Sequence, residues 1–194
     1  MPDRTFDWLY LGGLLVAIVV RKIGERRSGH RANLRGTPLV ELICLLGWGV
    51  AASVLPVLHL FTGVLAFADY SGPVPPVVGI AGCVLFALAI WLLHRSHADL
   101  GRHWSAKIEL QADHSLVTSG VYRRMRHPMY TAHLLWCVAQ AMLIANAVAG
   151  LTALALMTGM LITRIPREEA MMLGEFGEAW RYYQSRTGRL TPWL

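Results

Sequence analysis

The sequence predicts an all-α, polytopic integral membrane protein with about five transmembrane helices, an outside N-terminus and a cofactor pocket on the cytoplasmic face. Three observations carry the fold. Hydrophobic residues make up 55% of the 194 positions and charged residues 15%, well away from the balance of a soluble domain. The apolar residues form long uncharged blocks instead of an amphipathic stripe, and the mean hydropathy is +0.43. The basic residues sort to alternate connections between the blocks.

The first block, 6–20, is short against the roughly 20 residues that a spanning helix needs. It has no small-residue cleavage site and runs straight into Arg21-Lys22, so it reads as a retained helix and not a signal peptide. The second block, 39 to about 68, has residues to spare, with a bend expected near Pro56. The third covers 77–93, the fourth 129 to about 145, and the fifth 147–165. Two parts are expected. Residues 1–100 hold three transmembrane helices and a basic cytoplasmic loop, and 101–194 hold the catalytic machinery: a connector, a helical hairpin and an interfacial helix.

Six Lys or Arg lie between blocks one and two, six between blocks three and four, and five after block five, leaving Arg4 alone on the other side. The positive-inside bias makes the loaded side cytoplasmic. The net charge of +6 is then a membrane rim facing anionic headgroups and calls for no nucleic acid. Cys44, Cys83 and Cys137 fall within apolar blocks and read as small buried hydrophobes.

Beyond the fifth block, Pro166 is expected to open a separate helix. Leu173, Phe176, Trp180 and Tyr183 would form its apolar stripe at the membrane interface. Residues 186–189 read as a turn, and Trp193 as an anchor in the headgroup layer. The connector 104–121 reads as irregular structure leading into a helix near Tyr122.

Among the polar residues, His94, His97 and His103 match no strong metal motif, and no metal is expected. His133 reads as a packed polar side chain. Glu41 sits two residues into the second block, where the helix dipole and snorkelling would ease its cost, so it reads as structural. Two clusters are harder to explain as helix boundaries: Arg126-His127-Pro128-Met129-Tyr130 before the fourth block, and Arg164, Glu168 and Glu169 after the fifth. A hairpin of blocks four and five returns both to one membrane face, as two walls of one site.

The run from His114 to Tyr122, followed by Arg126 to Tyr130, then Arg164 with Glu168-Glu169, Phe176-Gly177-Glu178 and Tyr182-Tyr183, resembles the isoprenylcysteine carboxyl methyltransferase family. The resemblance covers about the last 90 residues, from Lys107 onward. It implies transfer of a methyl group from S-adenosylmethionine to the C-terminal carboxylate of a prenylated cysteine. It places Lys107, His114, Ser115, Leu116, Val117, Tyr122, His127, Pro128, Met129 and Tyr130 around the cofactor, Arg164 on the acceptor carboxylate and Glu168 beside the cofactor. The chain departs from the family pattern at Ala132, where glycine is usual, and at Arg167, where an acidic residue is common.

The residue types suit that chemistry on their own terms. Apolar Leu116 and Val117 suit a purine, while Tyr, His and carboxylate groups suit hydroxyls and an ammonium. A carboxylate acceptor is already nucleophilic at neutral pH and needs orientation, which a guanidinium fork at Arg164 supplies. Glu168 would orient that Arg, balance its charge or meet the cofactor. The partners expected are a lipid-anchored or prenylated acceptor and membrane lipids. Three other readings stay open at this level. One is a phospholipid amine N-methyltransferase with Glu168 or Glu169 as base. The others are an NADPH-dependent membrane sterol-type reductase and a non-catalytic scaffold.

Overall fold

The computed structural model describes residues 4–28, 38–101 and 115–192. Five long helices account for most of them: α1 (Thr5–Ser28), α2 (Leu39–Thr62), α3 (Pro76–Leu100), α4 (Pro128–Leu143) and α5 (Ala147–Gln184). The described residues contain no β-strand, only two isolated bridges. The expected all-helical class is the observed one. By length and composition α2, α3 and α5 are able to cross a membrane. Large apolar side chains on their outer faces are exposed, among them Ile43, Ile80, Val84, Trp91 and Ile162. A soluble protein would bury such faces, whereas lipid accepts them.

Each helix starts or stops for a legible reason. Block one continues past Val20 because Glu25 receives Arg21 at 2.9 Å and Lys22 at 3.0 Å, which carries the helix to Ser28. α2 ends at a left-handed Gly63, earlier than the block pattern predicts, and Pro56 lies inside it. The expected helix near Tyr122 is only a 3-10 turn, Gly120–Arg123. His127, held non-helical ahead of Pro128 at φ −123 and ψ 56, delays α4 to the proline itself. Gly120 adopts φ 60, and a Cβ there would sit 2.1 Å from the Asp99 carboxylate that accepts from Val121 N.

The tail corrects one expectation. Pro166 opens no new helix; α5 runs through it, and the helical backbone is broken only at Gly177, φ 49. Glycine tolerates that left-handed geometry, and a proline within a turn need not end a helix whose neighbours hold it. Trp180 and Tyr183 are buried, so the far end of the expected stripe packs into the protein. Trp193 lies outside the described residues, as do His103, Lys107 and His114.

Two apolar cores share α4. One joins it to α1 and α3 through Tyr10, Leu14, Phe86, Leu93, Trp136 and Leu143. The other joins it to α2 and α5 through Trp48, Cys137, Met157 and Leu161. Packing of α3 on α4 and of α2 on α5 therefore crosses the division at residue 100. Between the cores, Tyr10 Oη lies 2.7 Å from the Ala52 carbonyl and from Gln140 Oε1, and accepts from Trp136. Gln140 donates to the carbonyls of Ala51 and Ala149, at 2.9 Å and 2.6 Å. His133 is a packed polar side chain: its Nδ1 donates to the Met129 carbonyl and its ring packs edge-on to Trp48.

One end of the bundle is closed by the α4–α5 turn. Asn146 caps α5 through Ala149 N and donates to Leu65 O and Asp69 Oδ1, while Tyr70 N donates to Ala145 O. That turn therefore meets the α2–α3 connection. The other end gathers the start of α2, the start of α4 and the part of α5 beyond residue 163, which is where the two polar clusters meet.

Candidate active site

At that end, α5 presents Arg164, Glu168 and Glu169 on successive turns, and α4 presents His127 and Tyr130 across from them. Arg164 is buried, with its guanidinium carbon 6.0 Å from the centre of the Tyr130 ring. Tyr130 donates to Glu168 Oε2 at 2.5 Å. The His127 ring stacks on Tyr130 with centroids 5.4 Å apart and lies 4.0 Å from Glu168 Oε1. The hairpin thus brings the pair His127 and Tyr130 against the pair Arg164 and Glu168, more than 30 residues further along the chain.

Glu169 has a different set of partners. It accepts from Arg126 Nε at 3.0 Å and from Arg189 at 2.6 Å, and lies 3.2 Å from His127 Nε2. Burial alone would raise its pKa, but the hydrogen bonds from His127, Arg189 and Arg126 hold the carboxyl down to about 2. Arg126 also donates to Gln184 O and to Thr187 O, and its backbone N to Gly188 O at 2.8 Å. Tyr183 donates to Tyr122 O at 2.6 Å. These contacts lock the chain after α5 beneath the start of α4. The segment read as a turn at 186–189 is the strap of that lock, with Met125 and Gly188 forming a parallel bridge.

Tyr122 is buried in the same assembly, and burial pushes its phenol up, so it stays neutral. Pro128 is buried as the first residue of α4 and Met129 half-buried. Ser115 is exposed, and Leu116 and Val117 are half-buried in the irregular stretch before the 3-10 turn. Lys107 and His114 cannot be placed in this arrangement, being outside the described residues.

Glu41 is the residue that sequence reasoning undervalued. It is 6% exposed, and its two oxygens hold Arg164 at 2.9 Å and Arg167 at 2.8 Å. Snorkelling to water does not ease its charge; two guanidinium groups from α5 do. The signal was present in the sequence as a carboxylate at the start of an apolar helix. Its partner was not, because Glu41 and Arg164 are more than 100 residues apart. Arg189 was likewise read only as part of a turn.

A sulfonium and an ammonium are cations, and an acidic residue at the rim is the group that suits them. Glu168, with a side chain 30% exposed and one oxygen held by Tyr130, meets that description. A carboxylate so placed is compatible with a cationic cofactor group at this rim.

The sequence model of the isoprenylcysteine carboxyl methyltransferase (ICMT) family matches residues 80–174, from α3 into α5. The chain is 29% identical over 201 residues to a probable protein-S-isoprenylcysteine O-methyltransferase of Oryza sativa subsp. indica, covering 100% of both chains. It is 31% identical over 115 residues to protein-S-isoprenylcysteine O-methyltransferase B of Arabidopsis thaliana, covering 59% of this chain and 56% of that one. Among solved structures it is similar to the eukaryotic intramembrane Ras methyltransferase ICMT, at TM-score 0.49 and 18% identity, over 91% of this chain and 73% of that one. With the family match running through both walls of the site and the rice similarity spanning the whole length, the family that this chain matches is the isoprenylcysteine carboxyl methyltransferase family.

Proposed function

We propose that this membrane methyltransferase transfers a methyl group from S-adenosylmethionine to the C-terminal carboxylate of an isoprenylated cysteine, or a similar lipid-borne carboxylate, at the cytoplasmic membrane face. The observation that carries the reading is a buried Arg164 set against Tyr130, whose hydroxyl is held by Glu168. Bound S-adenosylmethionine supplies an electrophilic methyl group on a sulfonium. Glu168, Tyr130, Met129 and the 115–117 stretch are the chain's means of holding it.

Arg164 presents the acceptor carboxylate by a charge-assisted fork. Its fixed direction matters more than its charge, because in-line transfer depends on approach distance and angle. The start of α4 and the end of the apolar part of α5 form a wall where a lipid-anchored group meets a water-soluble one. Sorting of the basic residues supports placing this rim in the cytoplasm, with five spans and the N-terminus outside. Residues 101–194 supply most of this site, and 1–100 frame it.

A carboxylate acceptor is favoured over a lipid amine. An amine must lose a proton to a base. Glu169, held down to about 2 by hydrogen bonds from His127, Arg189 and Arg126, is a poor base, and Glu168 already accepts the Tyr130 hydrogen bond.

The test is calorimetry on detergent-purified protein with S-adenosylhomocysteine, followed by methylation of N-acetyl-S-farnesylcysteine. Binding and transfer are expected. No heat at millimolar ligand, together with binding of NADPH, overturns the reading.

A further inference from the structure

The site contains more ionic contacts than an acceptor clamp needs, and they have a particular order. Arg164 and Arg167 lie on α5, three residues apart, and both grip the single carboxylate of Glu41 on α2. Arg164 is enclosed, its side chain 7% exposed, whereas Arg167 is 51% exposed at the rim. Glu41 is thus a buried carboxylate already seated on the guanidinium that the proposed function reserves for another carboxylate.

The local charges explain why this is useful. Arg164 and Arg167 contribute two positive charges, and Glu41 and Glu168 two negative ones. A bare buried guanidinium would bind an acceptor carboxylate tightly and draw off its electron density. A Glu41 carboxylate on the same guanidinium weakens that hold. Exchange is possible because Glu41 need not be left uncompensated: its other oxygen remains on Arg167 at 2.8 Å. A buried carboxylate with a single partner would resist such a shift far more strongly.

We infer, resting on the acceptor role of Arg164 proposed above, that Glu41 is a positioning residue that occupies the acceptor-carboxylate place on Arg164 until the acceptor arrives, and that Arg167 holds Glu41 when it yields. Glu41 touches neither the reacting carboxylate nor the methyl group; it acts through Arg164. Arg167, one of the two positions where the chain departs from the family pattern, is assigned a purpose.

Kinetics of Glu41→Gln, Arg167→Gln and the double variant test this, with N-acetyl-S-farnesylcysteine as acceptor and S-adenosylhomocysteine affinity measured alongside. Glu41→Gln removes the competing charge. Its acceptor KM is expected to fall severalfold and its kcat about tenfold, with cofactor-product affinity unchanged, a split that a merely structural role does not produce. Arg167→Gln, at an exposed position, leaves Glu41 dependent on Arg164 and is expected to raise acceptor KM severalfold. The double variant should follow Glu41→Gln, since Arg167 acts only through Glu41.

If wild-type protein is active and neither single variant moves acceptor KM, or if Glu41→Gln raises it, the exchange is overturned and the methyltransferase reading stands. If Glu41→Gln does not fold, an unchanged KM in Arg167→Gln is enough to overturn it. Wild-type protein that binds S-adenosylhomocysteine but methylates no prenylcysteine overturns the acceptor reading, and the exchange with it.

Discussion

Two polar networks run through this otherwise apolar bundle, and they are built from different chemistry. The one between the cores is neutral: Tyr10, Trp136 and Gln140, closed by the carbonyls of Ala51, Ala52 and Ala149. The one at the rim is ionic: Glu41, Arg164, Arg167, Tyr130, Glu168, and beside them Glu169 with Arg126, His127 and Arg189. The neutral network ends on backbone carbonyls of two helices, α2 and α5. The ionic network ends on exposed Arg167 and Arg189, whose long side chains reach water. A closed neutral network fixes helices in place, whereas an ionic one with solvated ends can exchange partners during a reaction cycle.

If that contrast is right, damage to the two networks should be read out differently. The largest effect is expected for Arg164→Ala. It should lower transfer by at least about a hundredfold, because a misdirected acceptor loses the near-attack geometry, while S-adenosylhomocysteine binding stays largely intact. Single-turnover assays beside calorimetry check this, and unchanged turnover removes Arg164 from the site.

Gln140→Leu should do the reverse. It removes the hydrogen bonds to Tyr10 Oη and to two carbonyls, so a loss of about 2 kcal/mol of stability is expected, with the kcat of the folded fraction preserved. Thermal unfolding in detergent reports the first and active-site titration the second. A variant that keeps its stability but loses kcat would erase the distinction between the networks.

Within the rim, Glu169 should behave as a brace. Glu169→Gln is expected to reduce amide-exchange protection of 186–190 by about tenfold, a local opening well short of unfolding. Its pH dependence has a definite sign. The folded carboxyl lies near 2 against an ordinary 4.5, so its stabilisation is complete above the ordinary value and disappears as pH falls toward 2. Wild-type protection should therefore decline through that acid window, and the Gln variant should lack this component. An identical acid profile in both proteins would place the strap's stability elsewhere.

The smallest effect on activity is expected from labelling cysteines at Ser71 and Ser185, both exposed. An impermeant reagent should reach them from opposite sides of the membrane. Same-side labelling breaks the five-span arrangement and the assignment of the rim to the cytoplasm.

Much of the fold was legible because its causes are local. Uncharged blocks mark helices, and Pro128 marks the start of α4. The misreadings arose where a distant contact overrides a local signal. Pro166 reads as a start, yet α5 continues through it with Glu169 anchored to Arg126 on one side and Arg189 on the other. The helical geometry breaks instead at Gly177. Glu41 reads as an eased carboxylate because nothing nearby in the chain is its partner.

The sequence by itself determined the all-helical class, the approximate extent of the apolar blocks, and the return of two polar clusters to one end. These follow from hydropathy, charge and helix length, which act over tens of residues at most. Only the tertiary structure decided which carboxylate holds which guanidinium. Glu168 meets Tyr130, Glu169 ties down the strap, and Glu41 sits on Arg164. An ion pair is set by distances of about 3 Å between side chains on packed helices, and the packing of α2 on α5 is not written in either helix alone.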